Sequence, residues 1–298
     1  MAAVTANGIT IEYEETGDKR APVILLVHGL GAQLTNWSDA FCRALAGGGF
    51  RVIRFDNRDI GLSSKFEAAG IPNMAENFQK AMQGQPVDAP YRLEDMAKDA
   101  VGLLDVLGIA KAHVVGVSMG GMIAQVLAAL HGGRLLSLTS IMSTSGRRGL
   151  PPGKPEAMQA IMTRPASGER EALIAVSMNV QRVIGSPGFP EDPVVLRRNA
   201  ERNVDRSWYP EGVGRQFAAI MANGSRVELL KTIRVPSLVI HGTDDPLVPV
   251  EAGQDTAASI PGSELKLIPG MGHAIETALV PIVAEAIINH CRKAMAPA

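Results

Sequence analysis

Short continuous runs of aliphatic residues recur along the chain, each closing on a glycine-rich or polar turn and each followed by a stretch with helical periodicity. Val23–Val27 reads Val-Ile-Leu-Leu-Val and runs into His28-Gly29-Leu30-Gly31; Val52–Phe55 and Ala112–Val117 repeat the pattern. A strand without polar alternation needs cover on both faces, and helical crossovers between such strands demand parallel neighbours. Helical stretches lie at Trp37–Leu45 and at Leu93–Leu107, where Leu93, Met96, Val101, Leu104 and Leu107 share one face. The same rhythm predicts strands at Leu135–Met142, Ser237–Ile240 and Leu265–Ile268, with helices at Met122–Leu130 and Ile275–Cys291. Ahead of them, Val4–Glu15 alternates around Ile9, Ile11 and Tyr13, with Asn7-Gly8 as a hairpin turn. The expected fold is α/β, a mostly parallel doubly wound sheet with an antiparallel edge.

From Ser143 to Arg226 the rhythm breaks into helical pieces punctuated by Pro151, Pro155, Pro165, Pro187, Pro193 and Pro210. This stretch reads as a small helical cap inserted after the sixth strand. The expected organisation is therefore a core of residues 1–142 and 227–298 with a cap of 143–226. At 298 residues the chain is long enough to bury a large core without disulfides or metals. Its 29 basic and 30 acidic side chains leave a formal net charge of −1, which argues against a nucleic-acid partner. Cys42 and Cys291 make neither a disulfide framework nor a zinc spacing. The residues Met1–Gly8 have no basic or apolar leader character, and the uncharged stretch Ala112–Gly133 is broken by His113, Ser118, Gln125 and glycines. A soluble cytoplasmic protein without metal, cofactor or membrane contact is expected.

Ligands of such sheets bind beyond the carboxyl ends of the strands, so residues just after each strand are the first candidates for a site. At the end of the strand that closes on Val117 stands Gly116-Val117-Ser118-Met119-Gly120-Gly121, a G-x-S-x-G pattern leading into a helix. On a strand-to-helix turn the serine must take a strained backbone, and its hydroxyl projects above the sheet beside the free N–H groups of the helix start. A serine hydroxyl needs a base, and the base a carboxylate. Both follow in order: Asp244-Asp245 after the strand ending at Ile240, and His273 after the strand ending at Ile268.

These features resemble the α/β-hydrolase fold superfamily of serine hydrolases. The elbow, the His28-Gly29 pair, the G-x-x-D-x-x-x-P pattern of Gly242, Asp245 and Pro249, and the late Gly272-His273 occur in the family's order. The resemblance implies Ser118 as nucleophile, His273 as base and Asp245, rather than Asp244, as the acid. It implies the backbone N–H groups of Leu30 and Met119 as the oxyanion hole. His28 is expected to be a neutral structural residue and His241 a packing residue; His113, His131 and His290 carry no partner pattern. Phe55-Asp56-Asn57-Arg58-Asp59-Ile60-Gly61-Leu62-Ser63 resembles the family's D-x-R-G-x-G-x-S turn, with Asp59 where glycine is usual. Asp56 and Arg58 read as buried ion pairs or turn hydrogen bonds. With Gly31–Trp37, this variant is similar to the subgroup of aclacinomycin methylesterases.

The cap's apolar content is aliphatic and methionine-rich, including Met158, Ile161, Met162, Leu173, Ile174, Val180, Val183, Ile184 and Phe217. Most of it is expected to pack cap on core; the remainder suits a medium acyl chain or bulky apolar alcohol. The expected function is a serine carboxylester hydrolase for small to medium apolar esters or lactones. Carbon–carbon bond hydrolysis, perhydrolysis and acyl transfer use the same three side chains, whereas aspartate-nucleophile dehalogenase and epoxide-hydrolase chemistry is excluded in its usual form by Ser118. A non-catalytic receptor for a small signal molecule is the competing class, and it has no need of all three.

Overall fold

The aliphatic runs become the centre of an eight-stranded sheet in the order β1-β2-β4-β3-β5-β6-β7-β8, seen in a computed structural model that describes residues 2–296. Met1, Pro297 and Ala298, the outermost positions of the segments 1–142 and 227–298, lie outside the described residues. In chain order the elements are β1 (Ala2–Ala6), β2 (Ile9–Thr16), β3 (Val23–Val27), α1 (Asp39–Gly47), β4 (Arg51–Phe55), α2 (Met74–Gln83), α3 (Leu93–Val106), β5 (Ala112–Val117), α4 (Met119–Leu130) and β6 (Leu135–Ile141). They continue with α5 (Pro155–Met162), α6 (Arg170–Ile184), α7 (Pro193–Arg206), α8 (Pro210–Asn223), α9 (Val227–Leu230), β7 (Ser237–Gly242), α10 (Val250–Ser259), β8 (Glu264–Ile268) and α11 (Val280–Met295).

β1, β2 and β4 pair antiparallel, and every pair from β4 through β3 to β8 is parallel. Successive side chains of β3 enter different cores: Val23, Leu25 and Val27 join α3 and α4 on one face, Ile24 and Leu26 join α1 and α11 on the other. Each fully buried aliphatic side chain contributes about 1.5–3 kcal/mol, which is why β3, β5 and β7 contain so few polar residues. The chain leaves β3 to one side for β4 and leaves β5 to the other side for β6, so the loops diverge above the carboxyl ends of β3 and β5 and leave a crevice there.

Several element limits differ from those expected, each for a local reason. α4 begins at Met119 rather than Met122, because the turn at Ser118 delivers the backbone directly into helix. α11 begins at Val280 rather than Ile275: Pro281 fits the first helical turn, and Thr277–Leu279 forms a separate 3-10 turn before it. α1 starts after Ser38, whose hydroxyl accepts from the Phe41 N–H. β8 is an edge strand, and of its residues only Ile268 is buried. α2 was not anticipated; Asn73 caps it by accepting from the Glu76 N–H.

The helices α5–α8 lie between β6 and β7 in the chain and, called the cap below, are tied to the loops of the sheet by buried charge. Arg206 at the end of α7 pairs with Asp56 at 2.8 Å, and Arg215 on α8 pairs with Asp59 at 2.8 Å. Asp56 also accepts from the Leu34 and Leu62 N–H groups, and Arg58 holds Asp99 at 2.6 Å. Asp59 and Arg215 are 0% and 1% exposed, and removing one partner of such a pair strands the other. Asp59→Ala is expected to lower unfolding stability by about 3–5 kcal/mol in urea titrations, with the Asp59→Gly/Arg215→Met double variant losing less. A loss under 1 kcal/mol for Asp59→Ala would show that the pair does not hold the cap.

Candidate active site

β5 ends at Val117 and α4 begins at Met119, so Ser118 makes the whole turn, at φ 55° and ψ −121°. Space explains the flanking glycines. A Cβ on Gly116 would lie 2.0 Å from the Gly120 carbonyl oxygen, and one on Gly120 would lie 2.0 Å from the Val27 carbonyl oxygen. The turn is held by the Ser118 N–H donating to Ile141 O at 3.0 Å and by Ser143 Oγ donating to Ser118 O at 2.8 Å. A non-glycine residue at positive φ is costly, and here it aims the hydroxyl away from the sheet.

The loops after β7 and β8 bring the other two side chains to this hydroxyl. His273 Nε2 lies 3.0 Å from Ser118 Oγ, and His273 Nδ1 lies 2.7 Å from Asp245 Oδ2. The other Asp245 oxygen accepts the Leu247 and Val248 N–H groups at 2.9 and 2.8 Å, so both oxygens are occupied and the carboxylate cannot swing. Asp244 is exposed at the cavity rim, accepting from Thr243 Oγ1 and the Gly270 N–H as a turn residue does. With a carboxylate on Nδ1, the proton of the neutral ring sits there and Nε2 is left to accept from the hydroxyl. The His273 N–H donates to Ile184 O at 2.7 Å, so the last residue of α6 helps seat the histidine loop.

The loop after β3 passes over the same point. Neither the Leu30 nor the Met119 N–H has a hydrogen-bond partner among the described residues. Met119 opens α4, where backbone N–H groups carry the positive end of the helix dipole. His28 Nδ1 accepts from the Gly29 N–H at 2.7 Å, and Asn57 Nδ2 donates to His28 O at 2.9 Å. Burial, and then the nearby His273, lower the His28 pKa to about 3, so this ring stays neutral and structural. His241 donates from Nε2 to Val248 O at 2.7 Å, and burial lowers its pKa, which keeps it beside Asp245 as a neutral packing group.

Ser118 and His273 open into a cavity of about 1220 Å³ between core and cap. Of the apolar cap residues singled out in the sequence, Met158, Ile161, Val180, Val183, Ile184 and Phe217 line it. Leu173 and Ile174 are buried elsewhere in the cap, and Met162 is 64% exposed. Trp37, Met122 and Met142 complete the wall from the core side; their contribution was not visible in the sequence because they belong to separate elements. Among the described residues no His, Cys, Asp and Glu group has metal-holding proximity, and no helix is long and apolar enough to cross a membrane.

The chain belongs to the alpha/beta hydrolase fold family, whose profile matches residues 22–275. It is 28% identical to rhodomycin D methylesterase DauP of Streptomyces sp. (strain C5), over 98% of each chain, and 27% identical to 3-oxoadipate enol-lactonase 2 of Acinetobacter baylyi, over 89% of this chain and 87% of the relative. The solved enol-lactonase from Burkholderia xenovorans LB400 has the same fold, with a TM-score of 0.72 and 24% identity over 98% of this chain and 100% of that one. Methylesterase and lactonase relatives thus match across nearly the whole length of this member of the alpha/beta hydrolase fold family.

The buried histidines give folding a definite pH dependence. His113 is 0% exposed, hydrogen-bonded to Ser137 Oγ, and burial lowers its pKa to about 4. Its folded pKa lies below that of the unfolded chain, so unfolded molecules bind the extra proton and stability falls as pH drops from about 6.5 towards 4. That loss is about 1.4 kcal/mol per pH unit for one such group, and His28 adds to it in the same direction. Urea midpoints measured from pH 7.5 to 4.5 are expected to decline below pH 6.5 and to decline less steeply in His113→Gln; parallel curves would remove His113 as the cause.

Proposed function

We propose that the protein is a serine carboxylester hydrolase acting on small to medium apolar esters or lactones. The observation that supports this most is the unbroken hydrogen-bonded line from Ser118 through His273 to Asp245 at the floor of the cavity. Ser118 Oγ attacks the carbonyl carbon while His273 Nε2 takes its proton, and Asp245 orients the ring and stabilises its positive charge. The carbonyl oxygen, now carrying the charge, is received by the Leu30 and Met119 N–H groups, which are worth most at that moment because they meet little charge in the ground state. His273 returns the proton to the departing alkoxide, leaving an acyl group on Ser118. Water then adds with His273 as base, and the acid leaves with Ser118 regenerated.

In this reading residues 1–142 and 227–298 carry the chemistry and 143–226 select the substrate. The ends of the insertion meet where the Arg226 N–H donates to Ser145 O at 2.8 Å, which supports treating it as a unit. The cavity exceeds the ~300–1,000 Å³ typical of sites for drug-sized ligands, which favours an ester with one bulky side over a short acyl chain on a short alcohol. A methylesterase and an enol-lactonase among the relatives support acyl–oxygen cleavage over carbon–carbon cleavage.

Proton release from a panel of aliphatic esters, aryl esters, lactones and methyl esters of polycyclic acids tests the reading. Ser118→Ala is expected to lose about 10⁶-fold in kcat and Asp245→Asn about 10⁴-fold, with the fold intact by circular dichroism. Wild-type turnover in Ser118→Ala would sink the proposal, and no turnover on any ester would move it to another reaction of the same three side chains.

A further inference from the structure

We propose that Gln216, on cap helix α8, is a positioning residue for the oxyanion hole; the proposal rests on the reading of the Leu30 N–H as an oxyanion donor. Gln216 is fully buried and spans two core loops. Its Oε1 accepts the Gly31 N–H at 2.9 Å, and its Nε2 donates to Arg58 O at 2.8 Å. The Gly31 N–H belongs to the peptide directly after the Leu30 residue. The other side of Leu30 is held by the His28 ring and by Asn57, which binds His28 O. The Leu30 N–H, with no partner of its own, is therefore aimed by anchors on both sides, and one of the two is supplied by the cap.

α8 can act as an anchor because it is docked without slack. A Cβ on Gly212 would lie 2.0 Å from the Asp59 carbonyl oxygen, so helix and loop touch backbone to backbone. One turn on, Arg215 meets Asp59 with two nitrogens at 2.8 and 2.9 Å, and also holds Gly70 O and the Tyr209 hydroxyl. Gln216 follows directly. Asp59 stands at φ 68°, a conformation suited to glycine, and its carboxylate also accepts the Phe66 N–H at 2.8 Å. The residue that breaks the D-x-R-G-x-G-x-S pattern thus binds the helix that steadies the oxyanion loop. Val213 packs on Gly31 from the same helix, within 3.1 Å of where a Cβ would stand.

A hydrogen bond that only filled a buried vacancy would change stability alone, whereas one that aims an oxyanion donor changes the transition state more than the ground state. In Gln216→Met, which keeps the volume but loses both bonds, kcat on an aryl ester is expected to fall about 10–100-fold with KM within about twofold. Affinity for a phenylboronic acid, whose Ser118 adduct carries the oxyanion, should fall by the same factor. Gln216→Glu, which retains the acceptor for Gly31, should recover part of the loss. Hydrogen exchange of the Leu30 and Gly31 amides, followed by NMR, should quicken in Gln216→Met and stay as in wild type in Ser118→Ala.

Unchanged amide exchange in Gln216→Met would overturn the proposal whatever Ser118 does. A rise in KM alone, or a kcat loss matched by a loss of folded protein, would overturn it as well. Full turnover in Ser118→Ala, with faster amide exchange in Gln216→Met, would instead overturn the serine mechanism and leave Gln216 as the anchor of the loop.

Discussion

Everything at the site depends on the approach of two backbones at the end of β5. Gly116 and Gly120 let the first turn of α4 settle against β5 and β3 at distances that no side chain allows. Ser118 is left as the one residue between strand and helix, held at positive φ because neither neighbour can move to relieve it. The same contact places the opening of α4 beside the loop after β3. The position of the hydroxyl, the helix start and the nearness of the loop after β3 are consequences of a single packing requirement, and the loops after β7 and β8 need only reach it.

Buried charge does the second half of the work. Asp56, Asp59, Arg206 and Arg215 are almost wholly removed from water, which is costly unless each meets its partner in good geometry. Such pairs are poor sources of net stability but strong discriminators of arrangement, since a displaced cap would leave charges stranded. The cap is therefore held in one register over the crevice while its apolar residues, which pack less specifically, remain free to shape the cavity.

Much of this was legible in the sequence, and the reason is local. Buried parallel strands are continuous apolar runs; Ser118 directly follows one, and Asp245 and His273 stand in the short turns that follow β7 and β8, so fold and candidate site residues appear together. What was not legible depends on distance along the chain or on exposure. Asp59 and Arg215 are separated by 156 positions, and only the missing glycine at Asp59 hinted at a partner. Leu265 and Leu267 read like core residues because hydropathy does not report that β8 has a neighbour on one side only. α2 carries Met74, Phe78, Ala81 and Met82 at helical spacing yet leaves Phe78 and Met82 exposed, and periodicity alone does not tell that Leu173 and Ile174 are buried away from the cavity that Met158, Ile161 and Phe217 line.

The insertion leaves and rejoins the core at one doorway, where Arg226 binds Thr144 O and Gln125 as well as Ser145 O. Topologically such a segment can be exchanged for another without disturbing the sheet, as a graft joined at a single stalk. Chemically it cannot be exchanged so freely, since a foreign cap would have to bring cations for Asp56 and Asp59. Side chains that face the cavity can therefore be changed one at a time, while those that meet the two carboxylates can be changed only together with Asp56 and Asp59.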